Sequence, residues 1–130
     1  MTKILVPMDT SERANRALAT ADQLAQALHA ELILLTVLET EEEDSDHVTS
    51  LLDNLASGLL SSYHVRIEYG LPARTILSVI DEELPELVVM SSHGGASPDG
   101  MALSSVARDI VLGSCVPVTL VGQAKSAGLG

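Results

Sequence analysis

The sequence predicts an α/β domain built on a parallel sheet that is covered by helices on both faces. Three observations carry that expectation. The strand-like segments are short, continuous apolar runs such as Ile4-Leu5-Val6 and Leu32-Ile33-Leu34-Leu35-Thr36-Val37-Leu38, the pattern of strands buried on both sides. Segments of helical period separate them, so strand and helix alternate along the chain. The 130 residues amount to one domain of ordinary size, with no internal repeat and no linker-like stretch.

Taken in order, Ile4-Leu5-Val6 is the first strand, ending at Pro7-Met8-Asp9-Thr10-Ser11. Thr10 or Ser11 is placed to cap the first helix, with Glu12 in its opening turn. Ala14, Ala17, Leu18, Ala21, Leu24, Ala25 and Leu28 recur at helical spacing. Leu32 to Leu38 is the second strand, and the acidic stretch from Glu39 to Asp46 reads as a solvated loop without the spacing of a calcium loop. Val48, Leu51, Leu52, Leu55 and Leu59 mark the second helix. Val65-Arg66-Ile67-Glu68-Tyr69 alternates, which predicts a strand with one more exposed face. Gly70 and Pro72 punctuate the chain before a third helix carrying Ile76, Leu77, Val79, Ile80 and Leu84, and Pro85 stops it. Leu87 to Met90 is the fourth strand. A fourth helix runs from near Ser104 to Gly113-Ser114, and Pro117 to Val121 is the fifth strand. Connections are expected to be right-handed crossovers. Residues 123–130, rich in Gly, Ala and Ser, are expected to be a disordered tail.

Composition narrows the function. The formal net charge is −11, with only seven scattered basic residues, and aromatic residues make up 2% of the chain. A basic patch and a stacking platform are both missing, which argues against a nucleic-acid partner. No apolar run approaches a membrane span, and the acidic surface disfavours anionic membranes. The single cysteine, Cys115, excludes an internal disulfide framework and suits a reducing compartment; a cytoplasmic protein is the expectation. His29, His47, His64 and His93 lack metal-ligand spacing.

The candidate site lies where the fourth strand ends. Leu87 to Met90 runs into Ser91-Ser92-His93-Gly94, nine residues intervene, and Ser104-Ser105-Val106 open a helix. Strand, glycine-containing loop and helix N-terminus form a setting in which backbone N–H groups and the helix dipole favour an anion. Each residue also has a plainer reading. Ser104 and Ser105 are good N-caps whatever binds there, His93 suits a loop histidine bonded to its own backbone, and Asp9 could accept N–H bonds from the following turn. There is no Walker lysine and no nucleophile elbow, so no catalytic residue is assigned.

Four marks in order make the chain resemble the universal stress protein family over residues 3–122. They are Pro7-Met8-Asp9-Thr10-Ser11 at the end of the first strand, Gly70-Leu71-Pro72-Ala73 at the start of the third helix, Ser91-Ser92-His93-Gly94, and Pro117 to Val121. The resemblance implies five parallel strands in the order 3-2-1-4-5, with four helices on two faces and one domain over residues 1–122. It implies a nucleotide site at the switch point between strands one and four. The residues it points to are Pro7, Met8, Asp9, Val37, Ser91, His93, Gly94, Ser104, Ser105 and Val106, with Val37 offering backbone contacts to adenine and Asp9 near the ribose or a metal.

The chain departs from the family's Gly-x2-Gly-x9-Gly-[Ser/Thr] pattern, reading Ser91, Gly94, Ser104 and Ser105 at those positions. No basic residue occurs from Ser91 to Ala107, and Asp99 lies within that stretch. The expectation is a stress-response regulatory module binding AMP or ADP at least as well as ATP, with Mg²⁺ if ATP is the ligand. Two alternatives stay open: a homodimeric adaptor that binds no nucleotide, and a slow ATPase. In either binding mode a homodimer is expected through the edge strand Pro117 to Val121, which has no charge to protect it.

Overall fold

A computed structural model of the chain describes residues 2–9, 14–40, 45–92 and 105–122. Among the described residues nine elements alternate: β1 (Lys3–Pro7), α1 (Ala14–Leu28), β2 (Glu31–Leu38), α2 (Ser45–Ala56), β3 (Tyr63–Tyr69), α3 (Pro72–Glu83), β4 (Leu87–Ser91), α4 (Ser105–Gly113) and β5 (Val118–Val121). The five strands form one sheet in the order β3-β2-β1-β4-β5, and every pairing is parallel. The order reverses at β1 and β4, as the resemblance implied.

The sheet divides the core into two layers because alternate strand residues point to opposite faces. Ile4, Val6, Leu32, Leu34 and Val89 pack with Ala17, Leu18, Ala21 and Ala25 of α1 and with Leu52 and Ala56 of α2. Leu5, Ile33, Leu35, Val88 and Met90 pack with Ile76, Val79 and Ile80 of α3 and with Ala107 and Ile110 of α4. The inner face of α1 is largely alanine, so its backbone lies close to the sheet and touches β1, β2, β4 and β5.

Several boundaries differ from the sequence expectation, each for a local reason. β3 begins at Tyr63, because its seven-pair register with β2 starts at Leu32 and Tyr63. α2 ends at Ala56, and the Leu59 N–H closes the turn on the Ala56 carbonyl at 3.0 Å. α3 stops at Glu83 because Leu84 turns left-handed at φ 47°, its N–H bonding the Ile80 carbonyl. Pro85 disfavours a helical conformation at the residue before it, so the stop is set one residue earlier than the proline. β4 runs one residue further than expected, to Ser91, and β5 starts at Val118. Pro117 has no N–H to give, but its carbonyl accepts from Val88 at 2.9 Å.

In β3, Tyr63, Val65 and Ile67 pack into the first layer. On its other face, expected to be the more exposed one, His64 is exposed and acidic side chains of α3 reach Arg66. Arg66 bonds Glu68 at 2.8 Å and Glu83 at 2.8 Å, and also bonds Glu82. The second oxygen of Glu83 takes Lys3 of β1 at 2.8 Å. One carboxylate thus ties two strands to the end of α3, across the intervening β2.

Candidate functional site

The candidate site forms where β1 ends before its neighbours do. β1 and β2 pair over five positions, from Lys3 with Glu31 to Pro7 with Leu35. β1 and β4 pair at Ile4 with Leu87 and at Leu5 with Val88. The difference has a cause in one residue. In a strand, alternate residues direct N–H and C=O to opposite sides. The Met8 N–H bonds the Leu35 carbonyl at 2.7 Å, so Met8 faces β2 and the residue before it faces β4. That residue is Pro7, which has no N–H to offer. The ladder to β4 cannot continue through it, and the sheet parts at the carboxyl ends of β1 and β4.

The flanking strands turn their backbones toward this opening. Val88 and Ser92 donate to Pro117 and Val121 on the β5 side, at 2.9 and 3.1 Å. Ser91, between them in the alternation, therefore presents N–H and C=O to the β1 side. Across the opening, Gly70 donates to the Leu38 carbonyl at 2.9 Å, so Leu38 faces β3 and Val37 faces β1. Pro7 pairs with Leu35, which puts Val37 two residues beyond the last paired position of β1. Asp9, exposed, follows Met8 at the same end.

Buried polar groups hold this arrangement. Met8 is 5% exposed, and its carbonyl accepts the hydroxyl of Thr36, itself 3% exposed, at 2.9 Å. Ser92 is buried and adds a longer hydroxyl contact to the Val121 carbonyl at 3.4 Å, which ties the chain just past β4 to β5. The β3–α3 turn is narrow: Gly70 sits at φ 140°, and a Cβ there would stand 2.8 Å from the Thr75 hydroxyl. The sequence assigns no role to Thr36, and it marks Ser92 only as part of the Ser91-Ser92-His93-Gly94 segment. The signal for Thr36 was a lone hydroxyl in an otherwise aliphatic strand.

The structure therefore gathers Pro7, Met8, Asp9, Val37 and Ser91 at one end of the sheet. Ser105 and Val106 open α4, which runs from that end back toward the start of β5; Ser105 is exposed and Val106 packs on the second layer. His93, Gly94 and Ser104 lie outside the described residues, as do the proposed first-helix caps at residues 10–12 and the tail at 123–130. Ser91 needs no glycine for its conformation. It lies in regular strand, and the described non-glycine residues with positive φ are His29 and Leu84.

Charge is distributed unevenly. Lys3 and Arg66 are committed to the carboxylates of α3 and β3. Arg66 is held more firmly protonated than usual, chiefly by Glu82 and then Glu68. Arg108 is exposed in the first turn of α4, immediately after the stretch that has no basic residue. Among the described residues, no group of three or more His, Cys, Asp and Glu side chains converges on a metal position. No described helix is long and apolar enough to cross a membrane.

An open, doubly wound parallel sheet with an opening at its switch point is the architecture in which ligands bind beyond the carboxyl ends of the strands. The chain belongs to the universal stress protein family, whose sequence profile matches residues 1–122. The universal stress protein Sll1654 of Synechocystis is 32% identical over 132 residues, spanning 91% of this chain and 83% of that protein. The structure of UspA from Lactobacillus plantarum superposes with a TM-score of 0.81 at 24% identity, covering 92% of this chain and 97% of that one. A universal stress protein from Archaeoglobus fulgidus in complex with dAMP gives a TM-score of 0.74 at 20% identity, again covering 92% and 97%. Both structures share the fold of this chain.

Proposed function

We propose that this protein is a regulatory module that binds an adenine nucleotide in the opening at the end of β1, taking AMP or ADP at least as well as ATP. The observation that carries the reading is the backbone of Val37. Its N–H and C=O face the same side, beyond the end of β1. A donor and an acceptor side by side match the N1 and 6-amino edge of adenine. Guanine presents the reverse order on that edge and is disfavoured by the same pair. The A. fulgidus relative in complex with dAMP supports an adenine ligand in this fold.

The phosphate preference follows from charge. Ser91 and Ser104 stand where the family pattern has glycine, and residues 91–107 contain no lysine or arginine. Phosphate contacts then rest on backbone N–H groups and the α4 N-terminus, which suit one or two phosphates better than three. Mg²⁺ accompanying ATP would find Asp9 and the phosphate oxygens as ligands, the sparse protein coordination that Mg²⁺ accepts.

Calorimetric titration with AMP, ADP and ATP, each with and without Mg²⁺, tests this. The expected result is AMP and ADP affinity equal to or above that for ATP. Much tighter ATP binding refutes the phosphate preference. No heat with any nucleotide favours the adaptor reading, for which the uncharged edge strand β5 is the supporting observation.

A further inference from the structure

The strand Leu32–Leu38 is aliphatic except at Thr36, and Thr36 is almost wholly buried. A hydroxyl in that setting needs a partner, because leaving it unbonded costs more than the bond returns in water. Its partner is the Met8 carbonyl, at 2.9 Å and 28 residues away. The identity of that acceptor matters. The β1–β2 ladder ends with Pro7 opposite Leu35, followed by the Met8 N–H on the Leu35 carbonyl. In a parallel ladder continued by one more step, the next bond runs from the Val37 N–H to the Met8 carbonyl.

We propose that Thr36 is a positioning residue for the ligand's base: its hydroxyl serves as the donor to the Met8 carbonyl in place of the Val37 N–H, so the ladder stops one bond short and the Val37 amide is presented to the cleft. The inference rests on the adenine reading of the site for its consequence, but the backbone arrangement has a readout that needs no ligand. Valine has the shape of threonine and cannot donate. Thr36→Val therefore leaves the Met8 carbonyl seeking a donor, and the nearest in the ladder series is the Val37 N–H. Serine retains the hydroxyl and should retain the arrangement.

The test compares the parent with Thr36→Val and Thr36→Ser in three measurements: AMP affinity by calorimetry, amide hydrogen exchange at Val37 by NMR without ligand, and thermal unfolding. Ser114→Ala is the control. It deletes a hydroxyl that bonds the Val116 carbonyl at 2.7 Å, between α4 and β5, at the other end of the sheet. The expected result is slower exchange at Val37 and about tenfold weaker AMP binding in Thr36→Val, the effect of losing one base contact of ordinary strength. Thr36→Ser should match the parent in both. Ser114→Ala should shift the unfolding temperature alone, which separates positioning from a general loss of stability. Should Thr36→Val not fold, Thr36→Ala takes its place with the same expected pattern. Unchanged exchange at Val37 in the valine variant, or failure of serine to restore it, overturns the proposal whatever AMP does. Slowed Val37 exchange in a protein that binds no AMP in any form supports the backbone assignment and refutes the nucleotide reading alone.

Discussion

Asp22 shows how one buried carboxylate organises a connection. It lies on α1 and is 9% exposed, with one oxygen accepting the Leu60 N–H at 3.1 Å and the other the Ser61 N–H at 2.9 Å. The turn entering β3 is thereby fastened to a helix nearly forty positions earlier. Burial pushes the Asp22 carboxyl up, but the Ser61 and Leu60 donors pull it further the other way, and the net position is below the usual range. Glu83 is also lowered: its bond to Lys3 is the largest influence, burial opposes it, and Arg66 adds to the lowering. Both groups bind protons less readily folded than unfolded. Their contribution is complete above the ordinary values of 4.5 for Glu83 and 3.8 for Asp22, and it is lost as pH falls through the lower folded values. Urea unfolding across acid pH should show stability falling in that window, with a shallower fall in Asp22→Asn. At neutral pH that variant should be less stable by about 1–3 kcal/mol, because an amide must turn an N–H toward one of the two donors. An unchanged midpoint would remove Asp22 from this role. None of these pairings was legible in the sequence, since residues such as Lys3 and Glu83 are joined only by the fold.

Elements here end for reasons of different visibility. Pro7 and Pro72 were readable: one closes a ladder and the other opens a helix. The end of α3 was readable only as a proline stop. The structure puts the turn on Leu84, left-handed at φ 47° and 68% exposed. A leucine in that conformation costs roughly 1–2 kcal/mol by steric conflict with its own backbone, and glycine does not. Leu84→Gly should therefore stabilise the protein by up to about 1 kcal/mol, the remainder being offset by the greater freedom of glycine when unfolded. Thermal unfolding is the check, and a lowered midpoint would mean that the exposed leucine makes contacts that matter. In β3, the alternation was correctly read as a strand with one more exposed face, but the ion pairs on that face were not legible. Glu82 and Glu83 of α3 bond Arg66 there, which joins charges distant in sequence into an ion cluster.

At the scale of the molecule, the two edges of the sheet are unlike. β3 carries His64, Arg66 and Glu68, the kind of charge that discourages further strand addition, whereas β5 carries none. We propose that two copies pair through β5. The alternation fixes which groups are offered. Val88 donates to Pro117 and Ser92 to Val121, so Pro117, Thr119 and Val121 face β4, while Val118 and Leu120 face outward. Leu120→Pro removes an outward N–H and Thr119→Lys sets like charges on both copies; each should shift a dimer toward monomer in sedimentation equilibrium. Thr119→Pro instead breaks the ladder to β4 and should lower stability first. A parent that is monomeric at micromolar concentrations, or a dimer indifferent to Leu120→Pro and Thr119→Lys, refutes this interface.

The sequence by itself determined the alternation of strand and helix, the two-layered core and the family, because apolar period, prolines and short motifs are local and survive without knowledge of neighbours. It also marked Pro7, Asp9 and Ser91 as belonging to one end of the sheet. The tertiary structure alone decided which backbone groups face the opening, that Thr36 reaches Met8, and that Arg66 lies under acidic side chains. Those facts depend on register and on strands brought side by side across tens of residues. A strand's own sequence specifies which face is apolar, but only its neighbours specify where its hydrogen bonds go.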